Sequence, residues 1–256
     1  MRISAEFVTS AAGPAGFPTD GLPEVALVGR SNVGKSSVIN ALVRQRVART
    51  SGAPGKTRLA NIYRVARESR GSLYVVDLPG YGYARGGEDS AREFEELTRA
   101  YFGQHGPEGR ERLRPREPGG ASLRQGFGEV SPEFEERRRR APAPARKRKT
   151  ALLLVDARHP GLESDRQACQ WLRRVTDSVA IVATKIDKLA RGQRIRAMRE
   201  LESVFEDSVL PVSAVTGEGL DELWKLIDTL ASSRKPQPRS SPNIPPKAMA
   251  PRRPRK

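Results

Sequence analysis

Several residue types that would commit a chain to particular chemistry are nearly missing here. Cys169 is the single cysteine, so no disulfide can close within the chain, and a lone thiol fits a reducing cytosol. It falls in the helical pattern Asp165–Arg174 with no histidine beside it, which reads as a core or boundary thiol rather than a nucleophile. The two histidines, His105 and His159, sit in a low-complexity stretch and in a loop, each without a visible partner for acid–base work. Aromatic residues make up 5% of the chain, and Trp171 and Trp224 fall on apolar helix faces, as core residues do. Strongly apolar runs such as Ala151–Val155 are far shorter than the roughly 20 residues of a membrane helix. The first residues lack the basic start and long apolar centre of a signal peptide. A soluble, cytoplasmic protein without a membrane partner is expected, and a monomer.

Positive charge is plentiful. The net charge is +16 over 256 residues, but it is unevenly placed. Residues 103–150 carry 13 Lys/Arg against 7 Glu, and residues 232–256 carry 8 Lys/Arg and no acid. Those two stretches therefore hold +14, and the rest of the chain is close to neutral. Both are rich in Pro or Gly and lack periodicity, so they read as disordered basic appendages, with a short helix over Glu129–Arg140 the one regular element suggested. A solvated charge run is the ordinary reading of Arg137–Arg140 and Arg146–Lys149; contact with an anionic partner such as RNA is the other.

Between the appendages, apolar runs alternate with helical patterns. Strands are expected at 24–29, 59–66, 72–77, 151–156, 178–184 and 208–213, and helices at 35–44, 90–102, 163–174, 189–205 and 219–230. The short charged turn between the second and third strands calls for antiparallel pairing. The rest is strand–helix alternation, which means a mostly parallel α/β sheet covered on both faces, with one antiparallel edge strand. Residues 1–22 form a leader in which Arg2–Thr9 could add a strand. The expected division is thus the leader 1–22, a domain 23–231 interrupted by the insertion 103–150, and the tail 232–256.

The chemistry starts at the end of the first of those strands. Gly29-Arg30-Ser31-Asn32-Val33-Gly34-Lys35-Ser36 has the P-loop spacing in its required context of strand, loop and helix. The glycines let the backbone curl so that successive N–H groups point at phosphate oxygens. Helix 35–44 would add the positive end of its dipole. Lys35 could then reach the β- and γ-phosphates, and the Ser36 hydroxyl could ligate Mg²⁺. A Gly-rich turn that only reverses the chain would share the composition, but not the flanking strand and helix.

Four more sites follow in the order that a guanine-nucleotide fold needs. The flexible loop Gly55, Lys56, Thr57, Arg58 and Leu59 offers the Thr57 hydroxyl to Mg²⁺ and its N–H to a γ-phosphate. Asp77-Leu78-Pro79-Gly80 would hold Mg²⁺ through Asp77, by way of a water, and meet the γ-phosphate with the Gly80 N–H. Thr184-Lys185-Ile186-Asp187 places a carboxylate where guanine offers two N–H donors and adenine offers none. Lys185 can lie along the base, and Val212, Ser213 and Ala214 close the pocket.

These motifs, with Pro54-Gly55-Lys56-Thr57, Asp77–Ala84 (reading Asp-Leu-Pro-Gly-Tyr-Gly-Tyr-Ala) and Leu154-Val155-Asp156-Ala157-Arg158, resemble those of the EngB (YihA-type) ribosome-biogenesis GTPases. The resemblance covers about 22–102 and 150–231. It implies a P-loop GTPase fold, Mg²⁺-dependent hydrolysis of GTP to GDP with Lys35, Thr57, Gly80 and Asn32 at the reaction, and metal ligation by Ser36, Thr57 and Asp77. It also implies a part in large-subunit ribosome assembly, with rRNA as partner, and in normal cell division and septation. Two departures stand out: the insertion and the basic tail are additions to the family pattern.

Tyr81 stands where Ras-like enzymes carry the glutamine that orients the attacking water, so slow intrinsic hydrolysis is expected. Asn32 resembles an asparagine that in related GTPases helps to hold K⁺ at the phosphates; a loop-stabilising side chain is the other reading, of equal weight. A non-enzymatic RNA-binding factor with GTP as a structural ligand is the alternative function.

Overall fold

The computed structural model describes residues 2–49, 59–81, 96–103 and 149–232. The loop residues Gly55, Lys56, Thr57 and Arg58, the Gly82–Ala84 end of the tyrosine-rich motif, His105, the short helix expected at Glu129–Arg140 and most of both basic segments lie outside the described residues.

Among the described residues, seven strands form one sheet in the order β1-β3-β4-β2-β5-β6-β7. They are β1 (Ile3–Ala11), β2 (Glu24–Gly29), β3 (Ala60–Arg67), β4 (Gly71–Asp77), β5 (Lys149–Asp156), β6 (Ser178–Thr184) and β7 (Val209–Pro211). From β4 to β7 all neighbours pair in parallel. β3 runs against them, because the short turn after Arg67 leaves room only for a hairpin. β1 pairs antiparallel outside β3, so the strand suggested for Arg2–Thr9 forms the edge of the sheet. Its register shifts between Phe7 and Thr9, a bulge of the kind that blunts an edge strand.

Alternation along the central strands sends side chains to two separate cores. Val25 and Leu27 join Val75, Leu152 and Leu154 under α1 (Lys35–Val43) and the C-terminal helix Leu220–Ser232. Ala26 and Val28 join Val76, Leu153 and Val155 on the opposite face. That face is covered by α2 (helical residues 96–103), α3 (Glu163–Val175) and α4 (Arg191–Phe205), leaving Leu220–Ser232 as α5. Every residue of β2 and β5 is buried, as a parallel strand covered on both faces requires. Each fully buried Leu or Val contributes about 2 kcal/mol, so the sheet centre is the most stable part of the frame. Trp224 and Cys169 are buried, and Trp171 packs edge-on against Phe102, as their helix faces predicted.

Boundaries shift where side chains find partners that composition cannot show. Helix α4 starts at Arg191 rather than 189, because Ile186–Lys188 form a separate 3₁₀ turn. β7 is shorter than the 208–213 expected, since Val212 and Ser213 turn away into a loop. β5 starts two residues earlier than expected, at Lys149, which the sequence groups with the Arg run 146–149. This lysine is 3% exposed. Its ammonium donates to the Tyr101 carbonyl, lies over the Tyr101 ring at 3.7 Å, and stands 3.9 Å from Glu24 Oε2.

Candidate functional site

All the site motifs within the described residues come together at the carboxyl ends of the parallel strands. The pairing of Leu27 with Asp77, Gly29 with Leu154 and Asp156 with Thr184 sets the ends of β4, β2, β5 and β6 side by side. This is where open α/β sheets bind their ligands.

The P-loop leaves β2 at Gly29. A Cβ there would lie 2.7 Å from the Leu154 carbonyl oxygen, so only glycine lets the loop start this close to β5. Gly34 caps α1 at φ +109, a conformation that side chains resist. Asn32 also takes a left-handed φ of 62, with its side chain exposed. The curl ends in the first turn of α1, whose N–H groups have no partner within the helix. Lys35 is folded back across its own loop: Nζ donates to the Gly29 carbonyl at 3.1 Å and to the Arg30 carbonyl at 3.3 Å. Burial lowers its proton affinity, and the nearby Asp77 opposes that shift.

At the end of β4, Asp77 is 4% exposed and accepts from the Ser36 hydroxyl at 2.9 Å on Oδ2. Its Oδ1 is buried with no hydrogen-bond partner among the described residues. Burial pushes this carboxyl above the usual range, while Lys35 and the Ser36 hydroxyl pull it down. A buried carboxylate with one unpaired oxygen beside a hydroxyl is a donor set that suits a hard divalent cation. Leu78 and Pro79 are buried, and the Leu78 N–H donates to the Leu27 carbonyl at 3.2 Å. Gly80 rests on the P-loop, and Ser31 N–H donates to the Tyr81 carbonyl at 3.2 Å.

The other end of the site is built from β6 and the loop after β7. The Thr184 hydroxyl, 2% exposed, donates to the Val33 carbonyl at 2.8 Å, with the Val155 carbonyl 3.1 Å away. It ties the P-loop to β6, the strand that runs into Thr184-Lys185-Ile186-Asp187. Lys185, at φ 60, spans the gap above: its Nζ donates to the Asn32 carbonyl at 2.6 Å and to Asp156 Oδ2 at 2.9 Å. Ile186 is buried beneath. Asp187 accepts from the Ser213 hydroxyl at 2.7 Å on Oδ1, and Lys188 Nζ lies 3.4 Å from Oδ2. The Ser213 bond holds Asp187 below its ordinary proton affinity. Ser213 Oγ in turn accepts the N–H groups of Val215 and Thr216, so its proton is committed to Asp187. Val212 is fully buried, its N–H donating to the Ala183 carbonyl at 2.8 Å; Ala214 packs beside it, and Leu59 stands exposed at the near end of β3.

Sequence reasoning assigned no role to Asp156, Arg158 or Asp165. Arg158 grips Asp156 with Nε at 2.9 Å and Nη2 at 2.7 Å. Burial alone would push the Asp156 carboxyl up, but the Arg158 and Lys185 bonds outweigh it and hold the group well below the usual carboxylate range. Asp165 is 2% exposed and accepts from the Tyr81 hydroxyl. Its signal was present in the stripe Asp165, Cys169, Leu172, an acid at helical spacing with two core residues.

A family profile described as a 50S ribosome-binding GTPase matches residues 24–106. The chain is 33% identical over 236 residues to a probable GTP-binding protein EngB of Alkaliphilus metalliredigens, covering 90% of this chain and 92% of that one. To the protein of the same name from Levilactobacillus brevis it is 37% identical, covering 88% and 95%. Among solved structures, Era in complex with MgGDPNP and nucleotides 1506–1542 of 16S ribosomal RNA superposes with a TM-score of 0.59 at 19% identity, covering 85% of this chain and 59% of that one. That likeness is one of fold: a P-loop GTPase sheet with its helices.

Proposed function

Because the chain belongs to the EngB family of GTP-binding proteins and is a GTPase, we propose that it is a Mg²⁺-dependent switch that assists assembly of the large ribosomal subunit, in the cytoplasm, and through it normal cell division. The single observation that carries the nucleotide pocket is the convergence of Lys35, the Ser36–Asp77 pair and the Ser213–Asp187 pair at one edge of the sheet. In this reading Gly29 to Gly34 cradle the phosphates, Lys35 turns from its own loop carbonyls to the β- and γ-phosphates, and Asp187 takes the two N–H donors of guanine.

The unpaired Asp77 Oδ1 and the adjoining Ser36 hydroxyl fit Mg²⁺, with Thr57 as the third ligand. When bound, the ion would neutralise charge that develops on the phosphates. Gly80 N–H and the Thr57 N–H sense the γ-phosphate, and the exposed Asn32 amide stands ready for K⁺. Intrinsic hydrolysis is slow, since the Tyr81 hydroxyl is given to Asp165 and does not orient water.

The basic segments 103–150 and 232–256 serve as electrostatic arms for rRNA, a partner consistent with the family profile and with the RNA that Era binds. The base assignment is tested with Asp187→Asn, which should weaken GTP by a few kcal/mol and favour xanthine nucleotides. Unchanged GTP affinity would refute it. Co-sedimentation with large subunits in GTP and in GDP, at rising salt, tests the partner; binding that ignores both nucleotide and salt would refute it.

A further inference from the structure

Tyr81 occupies the position of the water-orienting glutamine of Ras-like enzymes, yet its hydroxyl is held elsewhere. It donates to Asp165 Oδ1 at 2.8 Å, and Arg30 Nε lies 3.3 Å from the same oxygen. The carboxylate comes from the first turn of α3, where the helix dipole favours it, and its side chain is 3% exposed. One acid thus holds two partners from two different loops. Arg30 belongs to the P-loop, and Tyr81 follows the Asp77–Gly80 loop.

The backbones of those loops are joined at the same point. Arg30 and Tyr81 form an isolated parallel bridge, Ser31 N–H donates to the Tyr81 carbonyl at 3.2 Å, and Ser31 Oγ donates to the Gly80 carbonyl at 3.4 Å. Gly80 lies so close that a Cβ would meet Ser31 N at 2.6 Å. Burial pushes the Tyr81 phenol upward, with Asp165 adding to the shift, so it remains a protonated donor at any physiological pH. Burial likewise raises the Asp165 carboxyl, and Tyr81 and Arg30 oppose this. A buried carboxylate is costly to keep in an apolar face unless it is fully paired, and an apolar residue beside Cys169 and Leu172 would serve packing alone better.

We propose that Asp165 is a positioning residue for GTP hydrolysis: by holding the Tyr81 hydroxyl and the Arg30 guanidinium it fixes the Gly80–Tyr81 peptide on Ser31 and so sets where the Gly80 N–H stands over the P-loop. The inference rests on the assignment of Gly80 to the γ-phosphate made above. Preorganised donors act because they need no ordering at the moment of reaction, so freeing this peptide removes part of that advantage while the P-loop and base pocket stay as they are.

The test measures turnover at saturating GTP, GDP affinity and melting temperature for Tyr81→Phe, Asp165→Ala, Asp165→Asn and the Tyr81→Phe/Asp165→Ala double variant. Tyr81→Phe loses only a hydroxyl and should lower turnover about tenfold, with GDP affinity within about twofold of wild type. Asp165→Asn can still accept the Tyr81 hydroxyl, so its turnover should lie between wild type and Asp165→Ala. The double variant should be no slower than Asp165→Ala, because both substitutions cut the same link. Melting that drops while turnover stays at the wild-type level in Tyr81→Phe and Asp165→Asn would make the cluster a packing device and overturn the proposal. Lys35→Ala, run alongside, separates the two readings. Loss of GDP binding there, with normal turnover in the Tyr81 and Asp165 variants, refutes the clamp and keeps the pocket; retained GDP binding refutes the pocket and the clamp with it.

Discussion

Thr184→Val probes the tie between the P-loop and β6. The two side chains have nearly the same shape, so the change removes a hydroxyl and little else. In the wild type that hydroxyl donates to the Val33 carbonyl at 2.8 Å, and it is buried. Removing the donor leaves the buried Val33 carbonyl unpaired, which costs about 1–3 kcal/mol. The added methyl returns up to about 1 kcal/mol through burial. The balance is a loss of about 1 kcal/mol, which for a domain of this size lowers Tm by roughly 2–4 °C.

Stability alone does not isolate the tie, because Thr184→Ser also destabilises, by about 1 kcal/mol for the lost methyl. Nucleotide affinity does. With the Val33 carbonyl released, the P-loop must be ordered when nucleotide binds, and GDP affinity should fall about tenfold in Thr184→Val. Thr184→Ser keeps the donor and should keep the affinity. Differential scanning calorimetry without nucleotide and a fluorescent-GDP titration measure the two quantities. If Thr184→Val binds GDP as wild type does, the hydroxyl is not what holds the loop.

Three further outcomes are expected. Gly80→Ala places a Cβ 2.6 Å from Ser31 N and must push the loop off the P-loop, so turnover and Tm should both fall, whereas Gly103→Ala, with nothing within 4 Å, should leave both unchanged. Asp156, held below the usual carboxylate range, adds stability that is present above its unfolded pKa of roughly 4 and is lost as pH falls toward its folded value; acid-unfolding curves of Asp156→Asn should therefore be flatter on that side. Cys169 is 3% exposed and its thiol is pushed up by burial, so alkylation followed by mass spectrometry should find it unreactive until the protein is unfolded.

The P-loop was legible because its function is written in contiguous backbone geometry: Gly29 and Gly34 are where they are for local reasons, and spacing reports them. Asp187 and Ser213 were legible for a related reason, since each follows a strand whose apolar pattern is unmistakable, and parallel strands deliver their ends to one edge. The Tyr81–Asp165 contact joins residues 84 positions apart, and nothing local to either announces the other. Only the acid on the apolar stripe of α3 hinted at it. Lys149 was misplaced for the opposite reason. Composition describes a segment, and a lysine at the end of an Arg run looks solvated until Glu24 and the Tyr101 carbonyl are seen around it. β1 was only suggested because its mostly exposed pattern carries a weak alternation, and pairing with β3 decides it.

The contact between Lys149 and Tyr101 has an evolutionary consequence. Tyr101 is among the last described residues before 104–148, and Lys149, which the expected insertion 103–150 had included, is the first after them and opens β5. Their contact fastens the described residues on either side of 104–148 to one another, so whatever lies between them branches from a closed point. Even a fully flexible branch would then add only about 0.6 kcal/mol of closure entropy for each doubling in length. A lineage could lengthen, shorten or recharge this segment and still keep its two ends together beside β5. Residues 104–148 are thus a point at which length and charge can change while the two described stretches stay joined through Lys149 and Tyr101.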